Sequence, residues 1–405
     1  MIRTKFLFAT LTIASLALNS CTNNDSEPGY TVPTTYEFNR NGSTTVDFSG
    51  QTSRLLMLGE IGTYIGNAGK NGTAADVTML SEMYSNTNDR FSTTDLNTSG
   101  KQLKDKTAAS KDYFVNFGGG GSTTEKLAVQ TFFESQFTSA NLASVGGNAS
   151  AGVAGVYLDG SSKRLFATNG LEPQQVLLKG MMGACLMDQV LNNYLSVVKL
   201  DEGTNKENNT NKVLEASKTY TTMEHLWDEA YGYIYGAGGG KYWDSYINQV
   251  NADTDFNTVT VDIKNAFIKG RAAIIANDYN TRNEQIKIIK AKLALIPAVR
   301  AVFYLQEGKG KLATDNGAKA FHALSEAYGF IMCLRYTNKP ETNAPYFTKA
   351  EVDKILADLI AGTNGLWDVD YLNPTTPTGI KTLDVLSTDI ATKFGFTVAQ
   401  AATVN

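Results

Sequence analysis

The chain writes one helix twice, as EHLWDEAYGYIYG from Glu224 and FHALSEAYGFIMC from Phe321. Both copies read His-x-x-x-Glu-Ala-Tyr-Gly followed by an aromatic residue and Ile, and they hold the only two histidines of 405 residues. The offset from His225 to His322 is 97 residues. That period is too long, and two copies are too few, for a solenoid. The simplest fold for such a chain is all-α, a duplicated helical bundle with pseudo-two-fold symmetry and approximate halves 36–250 and 251–405.

A helical wheel places His225, Glu229, Gly232 and Gly236 on a single stripe, because steps of four, seven and eleven residues return near the starting angle. The second copy places His322, Glu326, Gly329 and Cys333 in the same order. Glycine costs helix stability but lets another backbone come close, so Gly232 and Gly329 mark faces for a tight crossing or a ligand. Three roles fit an imidazole–carboxylate stripe. Each pair can satisfy its own buried polar groups and fix packing. Alternatively, the two stripes can meet as a His₂Glu₂ metal site of His225, Glu229, His322 and Glu326, suited to iron or another divalent metal. Thirdly, one pair can act as general acid and base, as in a metal-dependent hydrolase or peptidase.

Periodicity elsewhere is mostly helical. Residues 36–40 and 43–48 alternate around Asn41-Gly42, which predicts a small N-terminal β-hairpin with a type I′ turn. Leu55, Leu58, Ile61 and Ile65 then form an apolar stripe. Residues 86–111 and 144–167 read as loops. A capping box from Ser122 opens a helix through Phe137. Residues 172–200 are apolar almost all round, with Pro173 in the first turn, and predict a central helix. Further helices are expected near 256–277, 284–307, 318–336, 348–361 and 380–394, with Pro297 kinking or breaking one of them. The runs GGGGSTTEK and GAGGGKYW lack Gly-Lys-Ser/Thr, so they read as linkers or helix ends rather than phosphate loops.

The N-terminus predicts an envelope address. Arg3 and Lys5 precede an apolar run from Phe6 to Leu18, the layout of a secretory signal and too short to span a bilayer. Leu18-Asn19-Ser20-Cys21 resembles a lipobox, which makes residues 1–20 a lipoprotein signal peptide and Cys21 the lipidated residue. Residues 21–35 are polar and contain Pro and Gly, as a flexible tether should. The expected location is the outer membrane, facing the periplasm or the cell surface. Loss of Arg3 and Lys5 with the signal takes the formal net charge from −4 to about −6, and no Lys/Arg cluster with interleaved aromatics is present. Nucleic acid is not an expected partner. Cys185 and Cys333 are expected as buried thiols, because a core of this size needs no disulfide.

The stretch YEFNRNGSTTVDFSGQTSRLLML and the two His-helices resemble a family of Bacteroidetes envelope lipoproteins of unassigned function. Their architecture is similar to that of the imelysin-like helical proteins, which are associated with iron uptake and have been described as peptidases. The imelysin motif is Gly-x-His-x-x-Glu; here each Glu stands four residues after its His. The resemblance implies lipid-anchored capture of a ligand or of iron, without catalysis, beside an outer-membrane transporter.

Overall fold

The structure is a computed structural model and describes residues 29–110, 123–314, 317–369 and 383–403. Cys21, the signal and the run Gly118–Gly121 lie outside the described residues. The helices of eight residues or more are α1 Ser49–Asn71, α2 Val77–Ser85, α3 Thr123–Val145, α4 Pro173–Met181, α5 Thr222–Tyr235 and α6 Trp243–Ala252. They continue as α7 Val259–Ala276, α8 Tyr279–Thr314, α9 Ala318–Cys333, α10 Lys349–Leu359 and α11 Leu383–Phe394. The fold is mostly helical, with two small two-stranded sheets.

The expected hairpin forms, though its strands are short. Asn39–Arg40 (β1) pairs antiparallel with Ser43–Thr44 (β2), and Asn41 and Gly42 both take positive φ, 53° and 81°. A type I′ turn needs that combination. A second hairpin corrects the loop expected over 144–167. Gly155–Asp159 (β3) pairs with Ser162–Phe166 (β4) around Gly160 at φ 59°.

Helix boundaries follow local chemistry. The predicted α1 stripe is the buried one: Leu55, Leu58, Ile61 and Ile65 are each 1% exposed, which stabilises the fold by about 2 kcal/mol apiece. Gly72 ends α1 at φ 65°, and Asp76 caps α2 by accepting from the Met79 amide. Thr221 with Glu224 opens α5, and Thr348 with Glu351 opens α10, each a two-way capping box. Pro297 does not break its helix. It lies inside α8, which runs unbroken for 36 residues.

The predicted central helix is central but not uniform. Pro173 occupies its first turn, and α4 then widens into two π turns, Met182–Met187 and Val190–Tyr194. Widening removes ordinary i→i+4 pairing, and outside donors use carbonyls of this stretch. Trp243 Nε1 donates to the Met182 carbonyl at 3.0 Å, and the Ala108 amide donates to that of Ala184 at 2.8 Å. Around this core α8 runs between α7, α9 and α11, α9 lies against α4, and α5 lies against α1 and α7. No helix among the described residues is long and apolar enough to cross a membrane.

Candidate functional site

On α5 the glycine stripe receives α1. A Cβ on Gly232 would stand 2.3 Å from the Phe48 Cβ and 3.1 Å from the Gln51 Cβ. One helical turn on, Thr52 Oγ1 donates to the Gly236 carbonyl at 2.8 Å. Crossing this close brings Gln51 Nε2 to Glu229 at 2.8 Å, and the Tyr194 hydroxyl donates to the same carboxylate oxygen at 3.3 Å. Glu229 is therefore held by neutral donors. His225 stacks on Tyr220, with ring centroids 4.6 Å apart, and its Nδ1 is buried with no hydrogen-bond partner.

The charges beside His225 serve packing. Arg271 is fully buried, with Nε 2.9 Å from Asp228 and Nη1 3.4 Å from Glu224. Arg40 adds a second cation to Glu224 at 2.7 Å, and the Tyr36 hydroxyl donates to Asp228 at 2.7 Å. The hairpin is thereby tied to α5 and α7. Removing one member would leave an uncompensated buried charge.

On α9 the equivalent stripe receives α4. A Cβ on Gly329 would lie 2.4 Å from the Lys179 Cβ, and one on Gly183 would lie 2.7 Å from the Cys333 Cα. The Cys333 thiol donates to the Lys179 carbonyl at 3.2 Å. Here the crossing helix supplies a charge: Lys179 Nζ is 2.9 Å from Glu326 Oε1. Burial alone would raise the Glu326 carboxyl, but Lys179 and then His322 pull it below its ordinary range. Burial would likewise lower the Lys179 ammonium, and Glu326 holds it well above its ordinary value.

His322 continues the network. Its Nδ1 lies 2.6 Å from Glu172 Oε2 and 2.9 Å from Arg164 Nη1, while Nε2 lies 3.7 Å from Glu326 Oε2. A guanidinium only donates, so one ring nitrogen cannot bond both neighbours. We assign the proton to Nδ1, donating to Glu172. Arg164 is held there by charge, 3.6 Å from Glu172 and 2.8 Å from Asp159. The result is an alternating row: Arg164, Glu172, His322, Glu326, Lys179.

His322 and Glu326 thus come together as the spacing predicts, whereas His225 and Glu229 bond elsewhere, and the two copies share no hydrogen-bond or ion-pair partner among the described residues. Among those residues no group of three or more His, Cys, Asp or Glu is arranged to hold a metal ion. Cys185 and Cys333 are free buried thiols, and burial raises the Cys185 thiol to about 12.

Lys179 also faces an open cavity of about 710 Å³ between α1, α2, α4 and the start of α6. Leu56, Met79, Met83 and Leu178 line it, with Tyr242 and Tyr246 on the side of α6. The sequence reading missed Arg164, Glu172, Lys179 and Tyr242. Two signals were present: Val156-Tyr157-Leu158 and Leu165-Phe166 flank a turn at Gly160, and Lys179 is the only charge between Pro173 and Met187.

Residues 33–397 match the family described as Domain of unknown function (DUF4856), and the chain belongs to that family. No curated protein and no solved structure matches it.

Proposed function

We propose that this member of the DUF4856 family is a non-catalytic capture protein of the cell envelope, anchored by a lipid on Cys21. It would take a small ligand into the cavity beside Lys179 and pass it to an outer-membrane transporter. The cavity carries this reading. Its volume of about 710 Å³ lies within the usual range for small-molecule clefts, and its wall joins apolar side chains to polar and charged ones.

The same reading takes the two His-helices as copies of one unit related by a pseudo-two-fold axis. In support, α1 crosses at Gly232 and α4 at Gly329, and each crossing helix donates to that copy's Glu. Iron capture, which the imelysin-like resemblance favours, fits these side chains poorly. An ion at His322 and Glu326 would first have to displace Lys179 from Glu326. Hydrolysis fits poorly too, because both nitrogens of His322 face carboxylates.

Native mass spectrometry and metal analysis of the lipidated protein, extracted from its own membrane, test the proposal. A retained organic mass is the expected result. Stoichiometric iron would replace it with metal capture. No bound mass, no metal and no thermal shift across a small-molecule panel would leave a structural role. Labelled palmitate should enter the wild type and not Cys21→Ala.

A further inference from the structure

We propose, resting on the capture reading above, that the cavity takes an amphipathic anion: an acyl chain or aryl body ending in a carboxylate. The charged side chains lining the cavity are Arg90, Lys179, Lys241 and Glu60. Glu60 is already committed. Its carboxylate accepts from the Ser92 amide and hydroxyl at 2.8 Å each and from the Thr93 amide at 3.1 Å. Glu60 keeps its negative charge, but its oxygens are taken, so the open hydrogen-bonding groups among these charged side chains are donors. Arg90 binds Glu82 through Nε at 2.5 Å, which leaves its other guanidinium donors. Lys241 is exposed and has no carboxylate partner among the described residues.

Below the rim the wall turns apolar through Leu56, Met79, Met83, Leu178 and Met182. Met79, the partly exposed methionine among them, can adapt to ligand shape. An anionic head with an apolar body matches both zones, whereas an ammonium head would find the one carboxylate in the lining already bonded.

The glycine run GAGGGKYW shapes this site. Gly238, Gly239 and Gly240 take φ 64°, 63° and 66°, and Tyr242 follows at φ 53° and ψ −127°. A bulky residue avoids that region, and such strain gathers at ligand clamps. The Tyr242 hydroxyl donates to the Leu55 carbonyl at 2.8 Å and stands where a Cβ on Gly59 would lie, 2.9 Å away. The run therefore fixes a tyrosine in the cavity wall and carries Lys241 to its mouth.

Calorimetric titration of the full mature protein with decanoate, decanol and decylammonium, all below their micelle concentrations, tests this. Decanoate should bind at least about tenfold tighter than the other two. Lys241→Gln and Arg90→Gln should each weaken decanoate about three- to tenfold and leave decanol unchanged. Leu56→Trp, at a partly exposed lining position, should weaken whatever binds. Equal or tighter binding of decanol or decylammonium overturns the anion class and leaves capture standing. Decanoate binding that ignores Leu56→Trp lies elsewhere and overturns the proposal. Binding of none of the three overturns it as well; joined to a native protein that carries no ligand, that outcome removes the capture reading too.

Discussion

The two His-helices begin from one motif and end in different electrostatic company. On α5 the carboxylate of Glu229 meets an amide and a hydroxyl, and the imidazole of His225 lies flat on a tyrosine. On α9 Glu326 meets an ammonium, and His322 stands between two carboxylates with Arg164 beyond. What the copies share is the glycine face and the crossing it permits. What they do not share is the partner of that Glu, an amide and a hydroxyl on α5 and an ammonium on α9. The residue on the crossing helix decides whether the Glu accepts from an amide or becomes half of an ion pair.

The largest expected effect separates the copies at that residue. Lys179→Met leaves Glu326 buried without its cation and should cost about 3–5 kcal/mol in chemical denaturation. Gln51→Leu leaves Glu229 half-buried with the Tyr194 bond intact and should cost about 1 kcal/mol. Lys179→Met with Glu326→Gln removes both charges and should recover most of the loss. Equal costs for the two single variants would break the comparison.

A middle-sized effect should unite them. Gly232→Ala and Gly329→Ala each force a Cβ to within 2.5 Å of a neighbouring Cβ, 2.3 Å from Phe48 and 2.4 Å from Lys179. Overpacking of this kind costs about 1–3 kcal/mol, and both variants should fall in that window. A large cost at Gly329 with none at Gly232 would show that only α9 depends on the close crossing.

Much of this was legible in the sequence where the signal is local. Four-residue spacing put His322 against Glu326, seven-residue spacing put glycine on the same face, and the apolar run 172–200 was rightly placed at the centre. The missing parts depend on distant pairing. Arg164 reaches His322 from a hairpin whose alternation was masked by the Gly- and Ser-rich stretch around it. Lys179 stood out as a lone charge in an apolar helix, but nothing local names Glu326, 147 positions later, as its partner. The π turns were illegible for a related reason: their carbonyls serve Trp243 and Ala108, donors from other parts of the chain. Tyr242 shows the limit of reading glycine runs as linkers, since Gly240 and Tyr242 line a cavity wall.

The smallest expected effect is in acid. Glu326 is held below its ordinary value by Lys179 and His322 against the opposing effect of burial. A depressed carboxylate contributes stability that is present above the unfolded value of 4.5 and is lost as pH falls through the folded one. Asp188 has the opposite sign. Burial raises it from 3.8 to about 6, despite hydrogen bonds from Ser110 and Asn192. Its contribution is full below 3.8 and is lost as pH rises through about 6. The two slopes oppose each other and would blur a single curve. Urea denaturation from pH 3 to 7 on an Asp188→Asn background removes that residue's rising-pH loss and makes the acid limb easier to read. That limb should shrink when Lys179→Met and Glu326→Gln are added, and what remains belongs to the other carboxylates held below their ordinary values, Asp47, Glu224 and Glu351 among them. It should be unchanged by Gln51→Leu, which leaves Lys179, Glu326 and His322 untouched. An acid limb left wholly unchanged by removal of the Lys179–Glu326 pair would show that Glu326 adds nothing to it.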